Sequence, residues 1–351
     1  MTRSMFVIPL LILCILAVLS IVAYVFTTKQ QKRLFTDETY FVKIIGGSFM
    51  MGDTVGDLPE SCRPVHKVTL SDFLMAKYLV TNAEVVRVFN KAFKKGLVDI
   101  TEKGIVLNGH NNELLVGFTI EPPVESLPSE IAFDGNKLTV VPGREHHPCA
   151  FISWYGAVVY CNYVSELHGL QPVFDMKTWK ADMSKNGYRL PTEAEYEFVA
   201  SNGGKELKYP WGDGMPSFNG KPAANVADVS AENYFTPLKI WWRFEGLLPF
   251  KDYNDGYAQT SPVDAMAANP MGVHDIAGNV WQWLYDWEAP YTADEQTDPT
   301  GAENGTKRCL RGGGWWNHGW DVNRCSNRDG DYPNFTFNHT GFRLAHNLYV
   351  K

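Results

Sequence analysis

The chain has 351 residues, a formal net charge of -7 and no long basic run, which argues against nucleic acid as a partner. A hydrophobic content of 45% supplies a sizeable core for one large domain or two ordinary ones, and excludes a largely disordered chain. Trp (11) and Gly (30) are both abundant, the pattern of a loop-rich fold whose irregular stretches are pinned by large aromatics. The cysteines are Cys14, Cys62, Cys149, Cys161, Cys309 and Cys325, and none forms a C-x-x-C. A zinc ribbon is therefore not supported, and the sequence does not decide disulfide pairing.

Residues 5–26 carry no charge and are long enough to span a bilayer as a helix. We read them as an uncleaved N-terminal anchor, with the soluble part extracytoplasmic or on the cell surface. A cleaved signal peptide is the rival, although no small-x-small site follows cleanly. Arg3 stands on one side of the run and Lys29, Lys32 and Arg33 on the other, so charge does not orient it. Residues 27–39 are a polar linker, and one domain is expected over residues 40–350.

Strand signals begin with YFVKIIGGSFMMGD (40–53), bent at Gly46 and Gly47, and return at residues 66–70 and 73–78. Thr81 with Glu84 three residues on predicts a capped helix carrying Val85, Val88, Phe89 and Phe93. Residues 94–147 are less regular, with a hairpin turning at Asp134 and Gly135. Residues 153–166 read as an amphipathic helix with Ala157, Val158, Cys161 and Val164 on one face. Pro191, Thr192 and Glu195 open a third helix. YPWGD (209–213) is a turn, residues 225–270 read mostly as loop, and residues 271–287 lead into strands, with Trp281, Trp283 and Trp287 in the core.

The C-terminal stretch, residues 311–345, begins RGGGWW and ends GFRLA. Gly312, Gly313, Trp315, Gly341, Phe342 and Arg343 read as scaffold. The residues between are rich in Asn, Asp, Gly and aromatics without a period, the signature of a long ordered loop or a series of turns. Loops held by a rigid scaffold are where binding concentrates.

GGSFMMGD (46–53), VTNAE (80–84), FISWYGAVVYCNYVSE (151–166), GYRLPTEAEYEF (187–198), YPWGD (209–213), SPVDAMAANPMGVHDIAGNVWQW (261–283) and the RGGGWW…GFRLA frame occur in one chain. In this order they resemble the formylglycine-generating enzyme, or sulfatase-modifying factor, family over about residues 40–345. The resemblance implies an α+β domain with little regular structure, a variant of the C-type lectin fold, and bound calcium. The family's oxidase activity rests on two copper-binding cysteines, whose positions fall at about Asn317 and Val322. Soft thiolates are what would hold Cu(I), so copper is not expected here.

The same stretch resembles the variable proteins of diversity-generating retroelements, whose C-terminal segment runs from RGG-x-W through N-R and a proline to GFR. There, random replacement of adenines reaches Asn, Asp, Gly, Tyr, Phe, Thr, His and Ser, but not Lys, Glu, Gln, Met or Trp. Residues 317–340 hold no Lys, Glu, Gln or Met, and Trp320 is an exception.

These resemblances imply a non-catalytic, receptor-type protein that binds a ligand, a protein sooner than a small molecule, through residues 316–339. Trp316, Trp320, Tyr332, Phe335 and Phe337 would be aromatic anchors. Asn317, His318, Asp321, Asn323, Asp329, Asp331, Asn334 and His339 would add polar contacts. The alternative is an enzyme of the same family acting on a protein cysteine or a small thiol, and a third class is a structural envelope protein. The family's first calcium site maps onto Asn225, Val226, Asp255 and Tyr257, with Val226 and Tyr257 giving carbonyls. The second maps onto Asp275, Gly278, Val280 and Gln282, and the family usually has Glu where Gln282 stands.

Overall fold

The computed structural model describes residues 40–111, 113–118, 128–237, 248, 250, 252–317, 319 and 321–348. The apolar run at residues 5–26 and the linker after it lie outside these residues, as do His318 and Trp320. Among the described residues no helix is long and apolar enough to cross a membrane.

Helix α1, Asn82–Lys94, starts where the sequence predicts. The Thr81 amide donates to Glu84 Oε2 at 2.7 Å and the Glu84 amide to Thr81 Oγ1 at 3.3 Å, a reciprocal cap. Helix α2 is Trp154–Leu167, capped by Ser153, whose hydroxyl oxygen accepts from the Gly156 amide at 3.0 Å. It departs from the amphipathic reading, because it is buried nearly all round, with Trp154, Tyr160, Asn162 and Ser165 inside as well as the expected apolar face. Gly156 explains how it sits so deep. A Cβ there would lie 2.1 Å from the Leu115 carbonyl oxygen, so only glycine permits that approach. Helix α3, Glu193–Ala200, carries the second capping box, Thr192 with Glu195, and all its residues are buried. Helix α4, Val229–Phe235, lies in the stretch read as loop; Asp228 caps it by accepting from the Ser230 and Ala231 amides.

Short strands outnumber helices and do not alternate with them, as in an α+β chain. One four-stranded sheet runs in the order Phe41–Ile44, Phe73–Ala76, Ala345–Asn347, Tyr188–Arg189, so the C-terminal strand is inserted between earlier ones. A three-stranded sheet orders Gln296–Thr297, His66–Leu70, Gly47–Met51. Residues read as irregular contain another, Val98–Thr101, Gly104–Leu107, Glu113–Gly117, and the predicted hairpin pairs Ile131–Phe133 with Leu138–Val140. The main core packs the Gly47–Met51 and His66–Leu70 strands on α3, with Phe49 edge-on to Phe198 at 5.3 Å.

The second four-stranded sheet positions the C-terminal stretch. Its order is Asp329–Asp331, Arg308–Arg311, Trp281–Trp287, Thr340–Gly341. Trp281–Trp287 pairs antiparallel with Arg308–Arg311 and parallel with Thr340–Gly341. Trp283 is fully buried, and Trp287 stacks on Trp154 with the Arg308 guanidinium 3.4 Å from its ring centroid and 3.7 Å from that of Trp154.

Candidate binding surface and cation sites

Both ends of the 311–341 stretch are pinned to one residue, since Gln282 faces Arg311 on one side and Gly341 on the other. The Gln282 amide oxygen accepts from Arg343 Nε at 2.6 Å, and its nitrogen donates to the Asp275 and Ile276 carbonyls. Gly313 has φ +68°, and a Cβ there would stand 2.6 Å from Asn323 Nδ2, so this corner excludes a side chain on both counts.

Between these ends the stretch divides in two. Residues 323–328 face inward. Asn323 is fully buried and donates to the Gly312 carbonyl at 2.9 Å, so it does not lie on the expected ligand surface. Arg328 makes a two-pronged pair with Glu193 at 2.9 and 2.7 Å. Arg311 reaches Glu193 at 3.2 Å, bonds Glu197 and the Asn327 carbonyl, and donates to the Cys325 carbonyl at 3.2 Å. Burial pushes the Glu193 carboxyl up, but Arg328 and Arg311 outweigh it and hold it below the usual value. Burial wins at Glu197, which stays raised despite Arg311. Arg324 pairs with Asp57 at 2.7 Å. A stretch read as loop is thus riveted to α3 by buried charge.

Within residues 329–339, Asp329, Tyr332, Asn334 and Phe335 reach the surface, while Gly330 and the His339 ring are buried. Asp329–Asp331 is a strand paired with Arg308–Leu310, a correction to the reading of a long loop or a series of turns. Asp329 and Asn334 are exposed, Asp331 is half-buried, and Tyr332 and Phe335 are 57% and 37% exposed. Phe335 stacks on half-buried Phe337 at 5.4 Å, and Phe337 meets His339 at 4.5 Å. Burial pushes the His339 ring down to about 3, and its Nδ1 has no hydrogen-bond partner. The backbone beneath these side chains is fixed: the Trp154 amide donates to the Pro333 carbonyl at 3.0 Å and the Phe151 amide to the Phe337 carbonyl at 2.8 Å. A cavity of about 260 Å³ opens beside it, lined by Phe151, Trp315, Asn338, Glu130, Arg144 and Tyr234 among others.

Other expected contacts serve the scaffold. Half-buried Trp316 packs edge-on against Phe235 and Trp315. Asn317 Oδ1 accepts from Trp281 Nε1 and from the Gly314 amide, both at 2.7 Å. Asp321 is half-buried, and its carbonyl accepts from the Arg324 amide. Cys62, Cys149, Cys161, Cys309 and Cys325 are buried free thiols, each pushed up by burial. None of these thiols has the lowered pKa that marks a reactive cysteine.

At the first expected calcium position, Asn225 Oδ1 is buried without a partner. Asp255 accepts from the Val226 and Tyr257 amides at 3.0 and 2.8 Å. Asp228, which sequence reading passed over, lies against it and accepts from the Asp255 amide at 2.6 Å. Its sequence signal was the cap position before α4. Burial first and Asp228 second push Asp255 up to about 8. Two buried carboxylates with an orphaned amide oxygen fit a hard cation. At the second position, Asp275 Oδ1 is also buried without a partner, and burial lifts its carboxyl to about 7. Gln282 fits less well there, because its oxygen is taken by Arg343.

A formylglycine-generating enzyme of Thermomonospora curvata is 34% identical to this chain over 325 residues, covering 87% of this chain and 92% of that one. A Chlamydia pneumoniae protein named serine/threonine-protein kinase pkn1 is 29% identical over 329 residues; this chain is matched over 93% of its length and spans 40% of that protein. Among solved structures, Treponema denticola variable protein 1 superposes with a TM-score of 0.56 at 23% identity, covering 88% of this chain and 95% of that one, a likeness of fold. The sulfatase-modifying factor enzyme 1-like domain matches residues 26–348, and the chain belongs to that family.

Proposed function

We propose that this protein is a non-catalytic receptor that binds a ligand, a protein sooner than a small molecule, through residues 329–339 and the cavity beside them. The observation that carries this reading is the split between backbone and side chains. The backbone at Pro333 and Phe337 is tied to the residues around the start of α2, while Tyr332, Asn334 and Phe335 project into solvent. Rigid aromatics on a fixed backbone give contact area at low entropic cost, and exposed aromatic groups of this kind mark binding surfaces. The arrangement also tolerates side-chain exchange, as a segment diversified by a retroelement would need. Calcium, held by Asn225 and Asp255 with carbonyls of Val226 and Tyr257, would neutralise the buried carboxylates and fix the loop that carries α4. Display from a membrane through residues 5–26 completes the reading.

The test is a library randomised at Asp331, Tyr332, Asn334, Phe335 and Phe337. Most members should fold with melting temperatures within a few degrees of the parent, and selection on a panel of proteins should yield different binders from the one scaffold. General loss of folding would overturn the reading. So would conversion of a cysteine peptide to an aldehyde by the purified chain loaded with Cu(I), which would favour the enzyme alternative.

A further inference from the structure

The cavity of about 260 Å³ beside residues 329–339 has two unlike walls. One is apolar. Phe151 and Trp315 are almost fully buried in it, and Tyr234 and Val141, 48% and 42% exposed, stand at its rim. Phe151 adopts φ +57°, an uncommon conformation for an aromatic residue. It is held from both sides: its amide donates to the Phe337 carbonyl and its carbonyl accepts from the Gly117 amide, each at 2.8 Å. This wall is therefore set before any ligand arrives.

The other wall holds a loose ion pair. Arg144 Nε lies 3.4 Å from Glu130 Oε1, and the two side chains are 32% and 22% exposed, so a ligand can reach both. Charge-assisted hydrogen bonds are normally about 2.7–2.9 Å long. The other contacts of this guanidinium are long as well: Nη1 is 3.2 Å from His147 Nδ1, and Nη2 is 3.4 Å from Gln259 Oε1. Glu130 Oε2 accepts from Asn82 Nδ2 at 2.7 Å, whereas Oε1 has no partner nearer than 3.4 Å among the described residues. A cation drawn to Glu130 would meet Arg144, and an anion drawn to Arg144 would meet Glu130. A neutral hydroxyl suits both, because it donates to the carboxylate and accepts from the guanidinium, and the two stand close enough for one oxygen to reach each.

We propose that this cavity receives a tyrosine side chain of the partner, its ring against Phe151 and Trp315 and its hydroxyl between Glu130 and Arg144. Drug-sized ligands occupy cavities of roughly 300–1,000 Å³, so this one has the size for a single side chain. A buried tyrosine needs a partner for its hydroxyl, and tyrosine is enriched among the residues that anchor interfaces in pockets. The aromatic wall and the internally neutral acid–base pair meet those two needs together. The inference deepens the receptor reading and rests on it for the existence of a protein partner.

The experiment titrates the full chain, in detergent, with N-acetyl-tyrosinamide, N-acetyl-phenylalaninamide and methyl β-D-glucoside, reading heat of binding and saturation-transfer NMR. The tyrosine probe should bind about tenfold more tightly than the phenylalanine probe, the low end of what a hydrogen bond to a charged group contributes. Methyl glucoside should bind more weakly than either. The double variant E130L/R144M replaces both polar partners by apolar groups, which spares the fold better than removing one, and should make the two aromatic probes equal. V141W fills the mouth from an exposed position, should remove both aromatic probes, and decides the location if the double variant does not fold. Equal affinity for the two aromatic probes, no binding of either, tighter binding of the glucoside than of the tyrosine probe, or a tyrosine preference that survives in V141W or in the folded double variant would overturn the proposal. Binders from the randomised library beside a cavity without tyrosine preference would sink the cavity assignment alone, and a tyrosine preference with no binders would sink the receptor reading alone.

Discussion

Residues 323–328 and 329–339 are neighbours in one stretch of similar composition, yet they do opposite work. The first half sends Arg324 and Arg328 inward to Asp57 and Glu193 and buries Asn323 and Cys325. The second half sends its backbone inward, to Trp154 and Phe151, and leaves Tyr332, Asn334 and Phe335 outside. The lesson is that a polar, period-free segment is not one kind of object. Where its side chains hold the fold, substitution breaks the protein; where its backbone does, the side chains are free to serve a partner.

Removal of the buried cation that serves the first half should do the most damage. Arg311→Met would leave the Glu197 carboxylate buried without a cation, held only by the Gly52 amide, and would leave Glu193 with Arg328 alone, at a cost of about 3–5 kcal/mol. Thermal melting should show a loss of folded protein or a fall of many degrees; a variant as stable as the parent would break the contrast.

Chelation comes next. A ligand bound only by the native state at a hundred times its dissociation constant stabilises by about 2.7 kcal/mol, so EDTA should lower the melting temperature and added calcium should restore it. Asp255 is raised to about 8, above its unfolded value. The ion-free protein should therefore hold its full Asp255 contribution in acid and lose it as pH rises from about 4 through about 8, since the unfolded state gives up the proton first. Calcium binds the ionised form, so its stabilisation should grow over that same window. Asp255→Ala should abolish the EDTA difference, which a paired melting series with and without chelator would record.

At the corner where the two halves are set up, Gly313→Ala forces a side chain into positive φ against Asn323. A cost of about 1–3 kcal/mol is expected. Denaturant titration should show a lower midpoint with an unchanged slope.

The smallest stability effect sharpens the comparison most. Tyr332, Phe335 and Phe337 replaced together by Ser should cost no more than about 1 kcal/mol, chiefly from the Phe335–Phe337 stack, and should abolish ligand binding. If the triple variant melts as early as Phe342→Ala, a fully buried ring for which about 3–5 kcal/mol is expected, those rings are core and the exposed half has no separate task.

The sequence by itself determined what depends on neighbours in the chain. Thr81 with Glu84, and Thr192 with Glu195, specify helix starts because each hydroxyl and carboxylate needs only amides three residues away. The hairpin at Asp134 and Gly135 and the turn at Tyr209 are equally local: the Gly212 amide bonds the Tyr209 carbonyl at 2.9 Å. The RGGG and GFR frame was legible as scaffold from its glycines and its buried aromatic. Helix α4 was missed because it is short, and α2 was read as one-sided because its period did not disclose that neighbours cover every face.

Only the tertiary structure decided which side chains of residues 316–339 face water. Asn317, Asn323 and Trp316 carry the same chemistry in the sequence as Asn334 and Phe335, but the first three spend it on Trp281, Gly312 and Phe235. Asp228 came to lie against Asp255 only when distant segments closed around them. Burial and charge pairing are set by residues far away in the chain, and a sequence read locally does not contain them.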